Sequence, residues 1–402
     1  MNRQVIAFLF SILLLAPLAR AGEVARWNRV MTDASAAEQT DPLTESRVFS
    51  IVHAAIHDAL NAIERRNEPY REGVTAPSGA LPEAAVAAAA YTALVELLPG
   101  RKADFEVQYA EALEEMKDKR VAADGMRVGK QAAARLLTLR REDGAHRPVA
   151  QAGGTKPGEY RPTPPDFTPA WAAHWGKVKP FVLTSSAQFR PAQPPAPASP
   201  RARAEIADVR AIGGKTSALR TPEQSEISRF WYENSPQGWN RIAREVAAAR
   251  KLDEWQSARL FALLNLAMAD GYIGGFEAKY HYNYWRPASA IRESGDAAWL
   301  PDLDTPPVPD YPSTHTVLGA AAAAVMARYF GTDMVSFSIT SGAPYAGITR
   351  KFWSFSEAAQ ENGASRVLAG IHFPTAVRAG YMQGDLIGAW TYDHALKPVR
   401  AD

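Results

Sequence analysis

The sequence predicts an all-α fold in which helices pack as bundles. Three observations predict it. Residues 41–65 place apolar side chains near the 3.6-residue spacing of an amphipathic helix. Residues 81–98 are rich in alanine, which has the highest helix propensity. The period-2 alternation that is typical of half-buried strands is scarce.

The other predicted helices follow from the same signals in chain order. Two charged amphipathic helices come next, then three shorter ones, then a long and strongly apolar one, and finally three toward the C-terminus. Their predicted bounds are residues 104–120, 122–140, 201–212, 222–233, 239–249, 252–279, 316–330, 354–371 and 376–394. Ser354 and Glu357 match a capping box, in which each side chain bonds a backbone N–H at the helix start.

Residues 151–200 differ from the rest because proline is concentrated there. Of the 29 prolines, 11 lie within residues 152–200, so no long helix is expected. Aromatic residues such as Trp171, Trp175 and Phe181 argue against a free linker. We expect an ordered excursion that packs over the helices, where it could cover a site.

Composition excludes several classes of protein. The 402 residues allow two domains or one large one. With a formal net charge of +2, the protein lacks the strong positive electrostatic field of a nucleic-acid-binding protein. Hydrophobic and charged contents of 47% and 22% are those of a folded soluble protein. Without cysteine there are no disulfides, thiolate metal sites, iron–sulfur clusters or cysteine nucleophiles.

The N-terminus predicts export. Arg3 precedes an apolar run at residues 5–15, and Ala19-Arg20-Ala21 fits a small-x-small cleavage site. We therefore expect residues 1–21 to be a signal peptide and the protein to be exported, either to a bacterial periplasm or outside the cell. The run is short for a membrane span, and no later segment has 18 uninterrupted apolar residues, so no stable membrane association is expected.

Three segments of the last third carry candidate chemistry. Lys279 and Arg286 are seven residues apart among tyrosines, and two such cations could hold an oxyanion; a solvated basic face is the alternative. Ser313, in Pro-Ser-Thr-His, precedes an apolar helix whose N-terminus offers free N–H groups, although helix capping alone would explain it. Arg366 precedes His372 by six residues, with Gly370 permitting close backbone approach.

In this order the three segments resemble the signature of one superfamily, which unites the vanadium-dependent haloperoxidases with the type-2 phosphatidic acid phosphatases. Its pattern is Lys, six residues, Arg-Pro; then Pro-Ser-x-His; then Ser-Arg, five residues, His. All three parts are present here. The Phe230-Trp231 segment also resembles the bacterial haloperoxidase-like branch. The resemblance implies helical bundles with a four-helix-bundle catalytic core, and one domain over residues 22–402, divided at about 150 and 200.

The resemblance also implies a role for each site residue. Lys279, Arg286 and Arg366 would cradle vanadate, with Ser313 and the backbone N–H of Thr314 as further donors. His372 would coordinate vanadium, and His315 would act as the acid–base group. Hydrogen peroxide, a halide and a small organic acceptor are the implied partners, and hypohalous acid the product; relatives are often dimers, which allows a homo-oligomer.

Two positions depart from the superfamily pattern. Many relatives have glycine at Thr314, whose side chain could crowd the anion. The superfamily usually has an aspartate four residues after the last histidine, where it orients that imidazole; here the position is Ala376. Loss of such a partner typically costs about 10–100-fold in metal affinity or activity. Thr375, the adjacent residue, is a weaker candidate for that role.

Two alternatives to a haloperoxidase remain open. The same residues would serve an exported acid phosphatase without a cofactor, in which a phosphate ester occupies the cradle, His372 attacks phosphorus and His315 is the general acid. An inactive oxyanion-binding relative is the third hypothesis. Elsewhere, His53 and His57 have the spacing of two metal ligands on a helix, but packing inside the fold is the simpler interpretation.

Overall fold

The computed structural model describes residues 22–149 and 153–399, and these contain thirteen α-helices and one two-stranded sheet. The predicted all-α fold class is confirmed. The predicted signal peptide, residues 1–21, lies outside the described residues. No helix in the described part is long and apolar enough to cross a membrane.

Helices α1 to α5 form the N-terminal part: Glu23–Ala37, Pro42–Ile63, Pro82–Leu97, Lys102–Glu114 and Lys119–Arg140. Helices α6 to α10 follow at Pro200–Ile212, Pro222–Phe230, Ser235–Ala249, Glu254–Tyr282 and Pro287–Glu293. Helices α11 to α13 are Thr314–Phe330, Phe355–Leu368 and Pro374–His394, and strands β1, Phe337–Thr340, and β2, Thr349–Phe352, form an antiparallel hairpin.

Local capping explains where the predicted boundaries differ. The predicted helix 104–120 ends at Glu114, because Asp118 accepts the N–H groups of Arg120 and Val121 and so begins α5. The predicted helix 222–233 ends at Phe230. In the predicted capping box, Ser354 accepts the N–H of Glu357, but the Glu357 carboxylate accepts from Trp353 and not from Ser354. Helices α1 and α10 and the hairpin were not predicted.

Four helices form the bundle that carries the candidate site. Helix α11 packs against α9, α12 and α13, and α13 also packs against α9 and α12. Glycines let α13 approach α11 closely: a Cβ at Gly380 would lie 2.5 Å from the carbonyl oxygen of Ser313, and one at Gly384 2.1 Å from that of Val317. A second group of helices, α2, α3 and α5, packs onto this bundle through α2 and α9.

The proline-rich excursion is ordered across its described residues, 153–199, and its one helical element is a 3₁₀ turn at Trp175–Lys177. Asp270, a fully buried residue of α9, holds it in place. The Asp270 carboxylate accepts the backbone N–H groups of Phe181, Val182 and Leu183 at 2.6, 2.7 and 2.9 Å. The excursion is therefore fixed to the helix that ends beside Lys279.

Candidate active site

Lys279 and Arg286 are brought together by the end of α9. Lys279 lies in the last turn; Asn283 then adopts a left-handed conformation that ends the helix, and Arg286 begins α10. Both side chains are almost fully buried. Lys279 Nζ donates to the carbonyl oxygens of Pro309 and Asp310 at 2.7 and 3.0 Å, and Arg286 Nε donates to that of Val308 at 2.7 Å. The two cations thus fix the loop that leads into α11.

Ser313 stands at the N-cap of α11 without capping it through its side chain. Its backbone N–H donates to the carbonyl of Ala376 at 3.0 Å, and its Oγ accepts from Thr316 Oγ1 at 3.0 Å. The Ser313 hydroxyl proton is therefore available to another acceptor. The backbone N–H groups of Thr314 and His315 donate to no residue that the structure describes, so the positive end of the helix dipole carries free donors.

The Thr314 side chain is directed at α9. A Cβ at Gly275 would lie 2.6 Å from Thr314 Cγ2, so the absence of a side chain at Gly275 gives the threonine methyl its space. This packing places the methyl against α9, while the backbone N–H of Thr314 donates to no described residue.

His315 is held by a backbone carbonyl. Its Nε2 lies 2.8 Å from the Trp231 oxygen, which also accepts from Arg366 Nη2 at 3.1 Å. A carbonyl oxygen only accepts, so Nε2 carries the proton and Nδ1 carries the lone pair. Burial, followed by the positive charge of Arg366, lowers the pKa of His315 well below its usual range. The residue is therefore neutral and able to take up a proton at Nδ1.

Arg366 comes from the last turn of α12 and is 3% exposed. Its Nε donates to Ser365 Oγ at 3.1 Å, while Nη1 has no hydrogen-bond partner among the described residues. Arg286 similarly leaves Nη2 without a described partner. Both guanidinium groups are anchored on one side and keep donors free on the other.

His372 lies in the turn between α12 and α13, which Gly370 makes possible by adopting φ +76° against Gly213. Arg286 Nη1 donates to the carbonyl of Ile371 at 2.7 Å and lies 3.1 Å from His372 Nε2. Burial and then the charges of Arg286, Lys279 and Arg366 lower the pKa of His372 well below its usual range. The imidazole is consequently neutral and surrounded by all three predicted cations.

Asp310 was missed by the sequence analysis and is in contact with His372. Its Oδ1 lies 2.8 Å from His372 Nδ1 and 3.8 Å from Arg286 Nη1, and the residue is fully buried. Burial raises the pKa of Asp310 to about 7, against the opposing effect of Arg286 and Lys279. The available signal was its position three residues before Ser313. Thr375 is committed elsewhere, since its hydroxyl donates to Glu205.

The charge balance of the pocket fits an oxyanion. Burial lowers the pKa of Lys279, of Arg286 and of Arg366, the last to about 10, which shows that their positive charges are only partly compensated. Asp310 is the carboxylate that offsets some of this charge. A tetrahedral oxyanion would supply the remaining negative charge and accept from the free donors. Vanadate and phosphate both satisfy that description.

The excursion covers the segment that bears the first two cations. Four tyrosine hydroxyls from this region donate to its backbone carbonyls: Tyr280 to Trp171, Tyr282 to Pro191, Tyr284 to Pro195 and Tyr311 to Ala192. The tyrosines that surround Lys279 and Arg286 thus serve as attachment points, and the two cations are not on a solvated face.

Comparison with known proteins supports the resemblance carried by the three motifs. The family model described as "VCPO second helical-bundle domain" matches residues 259–401, which contain all three motifs. Vanadium chloroperoxidase of Curvularia inaequalis is 31% identical over 197 residues, which is 40% of this chain and 32% of that protein. A bacterial vanadium-dependent iodoperoxidase of known structure superimposes with a TM-score of 0.86 at 27% identity, over 94% of this chain and 98% of that one. These similarities support kinship with the vanadium haloperoxidase superfamily.

The structural similarity extends over nearly the whole chain. The holo form of a bacterial vanadium-dependent chloroperoxidase has a TM-score of 0.72 at 18% identity and covers 94% of this chain and 93% of its own. The matched segment spans about a third of the curated Curvularia inaequalis protein. His53 and His57 lie outside the bundle that carries the motifs; His53 contacts Asn28 and stacks on Phe261. Among the described residues no cluster of three or more His, Asp or Glu could hold a metal ion.

Proposed function

We propose that this protein is an exported, vanadate-dependent haloperoxidase that uses hydrogen peroxide to oxidise a halide to hypohalous acid, which then halogenates a small organic acceptor. One observation carries the proposal: three buried cations and a helix N-terminus lie around the His372 imidazole, whose pKa is lowered well below its usual range by burial and by the charges of those cations. The kinship with vanadium chloroperoxidase and with a vanadium-dependent iodoperoxidase supports vanadate as the anion.

The residues divide into those that hold the anion and those that move a proton. Lys279, Arg286 and Arg366 would neutralise vanadate, with donors from Ser313 and the N–H of Thr314, and His372 Nε2 would bind the metal. Bound vanadate supplies a Lewis acid that activates peroxide without changing oxidation state.

His315 would handle the peroxide proton. Its Nε2–H is committed to the Trp231 carbonyl, so Nδ1 is the atom that can accept a proton from peroxide and return it to the leaving oxygen. The carbonyl holds the ring in this tautomer, and the adjacent Arg366 guanidinium disfavours a permanently protonated ring.

A pair of assays tests the proposal against the phosphatase alternative. Protein freed of bound anions receives orthovanadate, peroxide and iodide or bromide, and halogenation of a phenolic dye is followed. In parallel, a chromogenic phosphate ester is supplied without vanadate. We expect turnover in the first assay only. Turnover in the second alone would overturn the proposal in favour of the phosphatase, and silence of both in folded protein would favour an inactive relative.

Two histidine variants test in the same assays whether His372 is required for activity. His372→Ala should abolish halogenation, because it removes the one ligand that would bond the metal. The matched control is His394→Ala, since His394 lies exposed at the end of α13, stacked on Trp390. Full activity of His372→Ala would refute the assignment of the site.

A further inference from the structure

Asp310 and His372 approach each other from different parts of the chain. Asp310 lies in the loop fixed by Lys279 and Arg286, and His372 lies in the turn before α13. The 2.8 Å separation between Oδ1 and Nδ1 is an ion-pair distance between two buried side chains, and Oδ1 has no aligned hydrogen-bond donor among the described residues. A buried acceptor without a donor, this close to a ring nitrogen, favours a ring orientation that turns Nδ1–H toward it.

Arg286 Nη1 lies 3.1 Å from Nε2 and 3.5 Å from Nδ1, so it stands beside both ring nitrogens and does not select one of them. Asp310 distinguishes them. A carboxylate only accepts, so a hydrogen bond to Oδ1 requires the proton on Nδ1 and leaves the lone pair on Nε2. The carboxylate of Asp310 stands on the Nδ1 side of the ring, where a negatively charged acceptor favours that tautomer.

The position expected to orient this imidazole cannot do so. Ala376 has only a methyl group, which is fully buried, and its carbonyl accepts from Ser313. Thr375 donates to Glu205. Among the described carboxylates, Asp310 is the one within 4 Å of a His372 ring nitrogen.

We propose that Asp310 is the positioning residue of His372 and replaces the carboxylate that is missing at position 376. It accepts the Nδ1–H, holds the ring and presents the Nε2 lone pair to the bound oxyanion. The identity of that oxyanion as vanadate rests on the proposed function, whereas the tautomer of the free protein does not.

The experiment combines a spectroscopic and a binding measurement. Protein labelled with ¹⁵N at histidine, free of vanadate, is examined by NMR, and the His372 signals are identified by their loss in His372→Gln. Asp310→Asn is then compared with the wild type, and Glu205→Gln serves as the matched control. Glu205 is a buried carboxylate that bonds Thr375 beside the same turn without contacting His372. Orthovanadate affinity is measured calorimetrically for all three.

We expect the Nδ1–H tautomer in the wild type and in Glu205→Gln, and a mixed or reversed tautomer in Asp310→Asn. Orthovanadate affinity should fall about 10–100-fold in Asp310→Asn alone. An Nε2–H tautomer in the wild type would overturn the proposal, even if the variant failed to fold. An unchanged tautomer and affinity in folded Asp310→Asn would overturn it as well. Failure of the wild type to bind vanadate would instead refute the proposed cofactor, while the NMR comparison would still decide the role of Asp310.

Discussion

At the scale of single residues, the hydrogen-bond partners of the two site histidines determine which ring nitrogen of each can react. Trp231 offers a carbonyl oxygen to Nε2 of His315, and Asp310 places a carboxylate oxygen beside Nδ1 of His372, so the two histidines present opposite ring nitrogens. The sequence could predict both histidines from motif spacing. It could not predict their tautomers, because Trp231 and Asp310 are far from the two histidines along the chain.

Glu45 provides a pH-dependent prediction. It is 1% exposed and accepts from Ser35 and Gln237, and burial raises its pKa from the ordinary 4.5 to about 7. The folded state therefore holds this proton more tightly than the unfolded chain, so the contribution of Glu45 to stability is present at low pH and lost as pH rises through about 7.

Glu45→Gln does not titrate and keeps an oxygen for both donors. Its stability relative to the wild type should therefore increase between about pH 5 and pH 8, by on the order of 2–3 kcal/mol. Urea unfolding of both proteins at several pH values measures this difference. A stability difference that is constant across the range would show that Glu45 is already ionised in the folded protein at pH 5.

At the scale of helices, close approaches between elements determine the site. The contact between α9 and α11 at Gly275 is one example. Gly275→Ala gains helix propensity worth about 1 kcal/mol but drives a Cβ to 2.6 Å from the Thr314 methyl. We expect a net destabilisation of about 1–2 kcal/mol, since threonine is stiff at χ1 and cannot easily turn away.

A double-mutant cycle with Thr314→Ser isolates that contact, because serine lacks the methyl group. The two substitutions together should recover most of the stability lost in Gly275→Ala, as measured by thermal or urea unfolding. Simple additivity of the two effects would contradict the packing described for Thr314.

The excursion gives a second prediction at this scale. Asp270→Asn leaves one acceptor oxygen for three N–H donors and places an amide N–H₂ against them. Hydrogen bonds to a charged acceptor are worth about 1.5–3 kcal/mol each. The amides of residues 181–183 should therefore exchange with solvent at least about tenfold faster, whereas Asp385→Asn, at an exposed position of α13, should leave them unchanged. Equal exchange in both variants would show that Asp270 does not hold the excursion.

At the scale of the whole molecule, prediction from sequence succeeded where apolar periodicity was long. Helices α2, α9 and α13 were found within a few residues of their ends. Helix α1 carries a usable signal in its buried Val24, Trp27 and Met31, which have helical spacing. Helix α10 and the hairpin strands are too short, at seven and four residues, for periodicity to stand out.

The sequence motifs predicted seven residues of the candidate site but not Asp310. The seven residues given by the motifs lie in one buried region because the fold brings the C-terminal ends of α9 and α12 and the N-terminal end of α11 together. Asp310 was missed because its role depends on the turn after α12 folding back onto the loop before α11. That contact between distant segments leaves no local pattern in the sequence.

The central claim is that the three cations and His372 form one site for a vanadium oxyanion. The most direct measurement is a crystal structure of the protein soaked in orthovanadate. It should show one anion bonded through vanadium to Nε2 of His372 and contacted by Lys279, Arg286 and Arg366. An anion bound elsewhere, or bound in the cradle without a bond to Nε2 of His372, would contradict this assignment of the site.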